Sequence, residues 1–161
     1  MKRIKILHIT DLHLRHNGRL FYSTGKKINN GFTKNDYNVL QISDRDFLQS
    51  NILNYKKPLF LSHVDKTIEN FYPDIILFGH VDSLNEENFF FLKNKYKDIK
   101  FSQYFVDTLD PNFEQHERHK KRFFLKYQYC DTNFITSSPD VLNFVDKDKT
   151  FFIPNVCDKS I

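Results

Sequence analysis

The chain of 161 residues has no tryptophan, four glycines, five prolines and two cysteines, and each scarcity excludes something. Four glycines leave no room for a glycine-rich dinucleotide fingerprint, Gly-x-Gly-x-x-Gly, so NAD and FAD have no support. Cys130 and Cys157 are isolated, lack metal-ligand spacing and suit a reducing compartment. No segment approaches the roughly 20 apolar residues of a membrane span. Met1-Lys2-Arg3 opens a short apolar run broken by Lys5 and ended by His8 to Asp11, which is no signal peptide. These absences point to a cytoplasmic location and leave peripheral contact with the inner face of the membrane open. No charge of one sign dominates: a net charge of +4 is too weak to imply nucleic acid.

Apolar residues make up 40% and charged ones 27%, ordinary values for a single globular domain of this length. The 18 phenylalanines accompany many Lys, Asn and Ile, a bias that suits an AT-rich genome better than a function. Short apolar runs at 4–9, 37–42, 74–78, 99–106, 132–136 and 151–153 predict six strands. Most are near-continuous rather than alternating, as strands buried on both faces are. Helices are predicted over 24–34, over 62–71 with Ser62 as N-cap, over 85–96 and over 112–127, and from Ser138-Pro139-Asp140 onward. Lys56-Lys57-Pro58 reads as an irregular patch. Strands alternating with helical connections predict an α/β, doubly wound, mostly parallel six-stranded Rossmann-like sheet with helices on both faces. The chain stops after Pro154-Asn155 without a closing helix, with Ser160-Ile161 beyond, and the ending reads as a cut.

In such sheets ligands sit outside the carboxyl ends of the strands. The first strand exits into a long polar loop, Gly18-Arg19-Leu20-Phe21-Tyr22-Ser23-Thr24-Gly25-Lys26-Lys27, that runs into a helix. A helix N-terminus there offers unpaired N–H groups to a phosphate or sugar oxygen. The loop is not a nucleotide-triphosphate loop: Gly18 and Gly25 stand seven apart rather than five, and Lys27 replaces the metal-holding Ser or Thr. Other exits carry Thr10, Asp11 and His13; Ser43, Asp44 and Arg45; Gly79, His80 and Asp82; Asp107 and Asp110; Thr136 to Ser138; and Asn155. Asp107 has the chemistry of a general base or a sugar-hydroxyl ligand. Asp110, with Asn112, reads as a cap for the following helix.

Two decoys need weighing. Ile9-Thr10-Asp11-Leu12-His13 resembles the opening Asp-x-His block of calcineurin-like metallophosphoesterases, and Gly79-His80-Val81-Asp82 faintly echoes their close. The family's Gly-Asp and Gly-Asn-His blocks are missing, because the four glycines precede Arg19, Lys26, Phe32 and His80. His116 and His119 stand three apart, but Arg118, Lys120, Lys121 and Arg122 beside them favour a solvated helix face. With Phe123 and Phe124, that basic cluster is also a candidate for anionic lipid head groups.

Taken in order, Gly18–Phe32, Tyr37–Asp46, Pro73–Asp82, Tyr104–Asp110, Asp131–Val141 and Phe151–Ile161 resemble the N-terminal half of GT-B-fold bacterial glycosyltransferases of the family 4-like group. The resemblance implies a domain over residues 1–161 that faces a glycan or cell-envelope acceptor, with a second, nucleotide-sugar-binding domain absent from this chain. It implies no metal and no other cofactor, the nucleotide sugar being a co-substrate. It places Gly18, Arg19, Tyr22 and Ser23 at the cleft, and His80, Asp82 and Asp107 toward the acceptor or the transferring sugar; Asn155 joins the substrate-binding set, and Asp107 and His80 are the catalytic candidates. A metallophosphoesterase and a non-catalytic Rossmann-like binding module are the alternatives.

Overall fold

The computed structural model describes residues 3–50 and 56–155. Six strands form one all-parallel sheet: β1 (Lys5–Thr10), β2 (Asn38–Ser43), β3 (Ile75–Phe78), β4 (Lys100–Phe105), β5 (Thr132–Ile135) and β6 (Thr150–Phe152). Their spatial order is β2-β1-β3-β4-β5-β6, so the winding direction reverses between β1 and β3. At that reversal two successive loops leave in opposite directions and open a crevice. Ile9 faces Phe78 in register, which brings the Thr10 and Gly79 exits side by side.

The period-2 alternation of side chains assigns the two faces. Leu7, Ile9, Ile76, Phe78, Phe101 and Ile135 point to the side covered by α3 (Lys56–Phe71), α4 (Glu86–Lys95) and α5 (His116–Tyr127). Ile6, Leu77 and Tyr104 point to the other side, where α1 (Thr24–Lys34) lays Ile28 and Phe32. Helices therefore flank both faces, as a doubly wound sheet requires.

The strand readings agree with the structure to within about a residue at most ends. Three helical readings do not. Lys56-Lys57-Pro58 is the first turn of α3 rather than an irregular patch, and Ser62 lies inside that helix rather than capping it. Proline fits a first turn because its missing N–H would have had no partner there. Phe60, Val64 and Ile68, four apart, then face the sheet fully buried. At the other end, Ser138 opens only a short 3-10 turn, Pro139–Val141, and its side chain caps nothing. α5 starts at His116 rather than Asn112: Asp110 accepts from Asn112 N–H at 2.9 Å in a local turn and does not cap the helix. An additional helix, α2 (Asp44–Ser50), follows β2 without a loop. Cys157, Ser160 and Ile161 lie outside the described residues.

Candidate functional site

A cavity of about 430 Å³ opens at the β1/β3 reversal. Thr10, Asp11 and His13 line it from the β1 exit, Arg19, Tyr22 and Ser23 from the following loop, and His80 from the β3 exit. Arg45 and Tyr104 complete the wall and floor.

The loop is a fixed structure. His13 and Asn17 take left-handed backbone angles around a 3-10 turn, and Gly18 follows at φ 85°. Successive turns close through Arg19 N–H to His16 O, Phe21 N–H to Gly18 O and Ser23 N–H to Leu20 O. Asp46 of α2 pins the near end by accepting Leu14 N–H and Arg15 N–H, each at 3.0 Å. Ser23 then caps α1, accepting from Lys26 N–H at 3.4 Å. The N–H groups of Thr24 and Gly25, in the first turn, donate to no protein acceptor among the described residues, and both residues line the cavity. They add the positive end of the helix dipole to the cavity wall.

Close packing sets the floor. A Cβ on Gly25 would stand 2.7 Å from Thr10 Cγ2, so glycine lets α1 seat against the strand tip. Below, His8 Nδ1 lies 2.7 Å from Asn29 Oδ1 and His8 Nε2 lies 3.1 Å from the Tyr104 hydroxyl, which itself lies 3.0 Å from Thr10 Oγ1. Burial pushes the His8 pKa down to about 4, the Asn29 contact opposing, so the ring is neutral at pH 7. Burial also raises the Tyr104 phenol, which stays protonated.

Charged side chains form a chain around the rim. Arg15 grips Asp11 with two bonds, 2.6 and 2.8 Å, and Arg45 approaches the same carboxylate at 3.4 Å. Burial raises the Asp11 carboxyl, but the bonds from Arg15 and His13 N–H outweigh it and hold it below the usual range. Arg45 also donates to Asp82. Arg122 of α5 reaches Asp82 and Asp107, each at 3.2 Å, and His80 Nδ1 at 3.0 Å. Burial lowers the His80 pKa, Asp107 opposing and Arg122 reinforcing the shift.

The Arg122 contact fixes a tautomer. A guanidinium only donates, so His80 Nδ1 accepts and the single proton of the neutral ring sits on Nε2. That nitrogen is buried, has no hydrogen-bond partner among the described residues and lies 3.7 Å from Asp107 Oδ2. His80 therefore presents an N–H donor, and Asp107 is the proton acceptor of the pair.

The structure thus gathers Arg19, Tyr22, Ser23 and His80 in one cavity, with Asp82 and Asp107 joined to it through Arg45 and Arg122. Gly18 is an exposed turn residue outside the cavity lining. Asn155 follows β6, at the sheet edge four strands from β1, and does not line the crevice. Sequence reasoning named Arg45 only as part of a strand exit and missed Tyr104 and the site role of Arg122. Asp44 and Asp46 in a first turn were the available signal for α2, which carries Arg45.

The decoys separate as well. Among the described residues no three His, Cys, Asp or Glu side chains converge as a metal site. His119 Nδ1 meets Thr108 O at 2.9 Å, and His116 packs against Phe144 with ring centroids 5.8 Å apart. His116 is half-buried rather than on a solvated face. Part of the basic cluster of α5 is engaged within the fold. Phe123 is fully buried, Arg122 belongs to the site, and Lys120 lies over the Phe144 ring at 4.7 Å.

Fold and site define an α/β, Rossmann-like protein with a ligand-sized crevice at its switch point. No protein-family model matches the sequence, and no curated protein matches it. Among solved structures, TubZ of Clostridium botulinum phage c-st superposes with a TM-score of 0.52 at 13% identity, over 88% of this chain. The chain spans 54% of the length of TubZ, and the likeness is one of fold. A family 3 carbohydrate esterase of Clostridium thermocellum gives a TM-score of 0.46 at 11% identity, covering 95% of this chain and 78% of that one.

Proposed function

We propose that this chain is the acceptor-side half of a GT-B-type glycosyltransferase, moving a sugar from a nucleotide-sugar donor to a glycan or cell-envelope acceptor. One observation carries the reading: the loop segment of the GT-B resemblance lines the switch-point crevice with Arg19, Tyr22 and Ser23, opposite His80. Arg19, Arg45 and the Thr24 and Gly25 N–H groups suit the oxygens of a phosphate or diphosphate. His80 lines the crevice with its ring, while its buried Nε2–H faces Asp107. Asp107 is the group able to take a proton from an attacking acceptor hydroxyl, with Arg122 orienting both side chains. The metallophosphoesterase alternative loses its first ligand, because the Asp11 carboxylate is occupied by two guanidinium groups.

The test uses the chain joined to its donor-binding half. Asp107→Ala is expected to lower kcat by about 10²- to 10⁴-fold, the usual worth of a general base. Arg19→Ala is expected to lower kcat/KM by about tenfold, the loss of one charge-assisted contact. Full turnover in both variants would contradict the assignment, and so would transfer by residues 1–161 alone.

A further inference from the structure

α4 is apolar on more sides than the core needs. Phe89 and Leu92 are fully buried against the sheet, yet Phe90 and Phe91 between them are 60% and 43% exposed. A helix that carries apolar residues on its outer side as well is normally covered there. α4 cannot roll to hide them. Lys95 bonds Asp65 and Glu69 of α3, each at 2.8 Å, and Lys93 bonds Asp131 at 2.7 Å. Glu86 accepts from Gln128, the C-cap of α5, at 2.6 Å, and a capping box of Asn85 and Asn88 fixes the first turn. The two rings are thus held toward water between α3 and α5.

Charge identifies the occupant. The exposed stripe runs Glu87, Phe90, Phe91 and Asn94, with exposed Lys97 one residue past the C-cap Tyr96. Glu87 and Lys97 have no ion-pair partner among the described residues, whereas Lys93 and Lys95 are engaged. The stripe therefore has a free acid at one end, two rings at its centre and a free cation at the other end. Turned about a two-fold axis, it fits a copy of itself. With the axis between Phe90 and Phe91, Glu87 lies opposite Asn94 of the second copy, and Lys97 of that copy stands roughly 4.5 Å further along the helix. Two long side chains span that offset. A parallel arrangement would instead set acid against acid and cation against cation.

We propose that α4 is a homodimer contact: two copies of this chain pack their α4 helices antiparallel, with Phe90 and Phe91 of each against those of the other. One helix pair falls short of the roughly 800 Å² per partner of a standard interface, so the dimer forms at tens of micromolar rather than nanomolar. No residue of α4 lines the crevice, and both crevices stay open. The inference does not rest on the transferase reading, since association is measured without turnover.

Sedimentation equilibrium of the 161-residue chain, from low micromolar to several hundred micromolar, tests it. The native chain is expected to pass from monomer to dimer, and Phe90→Asp to weaken association at least about tenfold. Glu87→Lys and Lys97→Glu are each expected to weaken it about tenfold by setting like charges across the axis. An equimolar mixture of these two variants is expected to regain native association, because each chain then meets opposite charges on the other. All three positions are exposed, and an unchanged circular dichroism spectrum verifies the fold. Undiminished association in Phe90→Asp, or a mixture no stronger than its separate variants, would overturn the proposal. So would a native chain that stays monomeric, whether or not another protein or a vesicle then binds at Phe90.

Discussion

His8 is expected to lower the unfolding free energy by about 3 kcal/mol between pH 6.5 and pH 4. In the unfolded chain an imidazole takes up its proton near pH 6.5. In the folded chain burial holds His8 to about 4, so across that interval the unfolded state binds the extra proton. Stability is therefore complete above pH 6.5 and is lost as pH falls toward 4. His80, also lowered by burial, adds in the same direction. Urea unfolding at pH 7 and pH 4.5 measures the drop. His8→Gln lowers stability at pH 7 through its lost contacts but is expected to flatten the pH dependence. A slope as steep in His8→Gln as in the native chain would remove His8 from the account.

Gly79→Val is expected to cost about 3 kcal/mol, at the upper end of overpacking substitutions, and to lower the melting temperature by roughly 6–12 °C for a domain of this size. A Cβ at this position would drive into the Thr10 hydroxyl and the Tyr104 phenol. Neither can retreat easily. Thr10 sits at the end of a central strand, and the Tyr104 ring is buried with its hydroxyl against both Thr10 and His8. Gly79 N–H also bonds Ile9 O at 2.9 Å, which ties the two strand exits together. The same substitution should deform the crevice floor, so a variant with native melting temperature would contradict the packing described for the site.

The sheet was legible because parallel strands buried on both faces write themselves as short apolar runs, and each of the six runs became a strand. The crevice was legible in part for a related reason: strand exits are where polar residues gather in this architecture. What stayed hidden depended on contacts distant in sequence. Arg122 looked like one cation among several on a helix until α5 brought it to His80, Asp82 and Asp107. α2 was missed because Asp44 directly follows β2, with no loop to announce it, and its one signal was the acidic pair Asp44 and Asp46. Ser62 was a false cap because the preceding turn of α3, with Lys56, Lys57 and a proline, imitates a loop. Tyr104 stood inside the predicted strand 99–106 with nothing to mark it; its ring is buried while its hydroxyl serves the cavity floor.

The central claim is that the crevice between the β1 and β3 exits is the ligand site and takes an anion at the start of α1. Titration of ¹⁵N-labelled chain with inorganic pyrophosphate, standing in for a leaving diphosphate, tests it most directly. The account predicts saturable amide shifts at Thr24, Gly25, Gly79 and His80, much weakened in Arg19→Ala. Shifts centred elsewhere on the sheet, or none at these four amides, would contradict it.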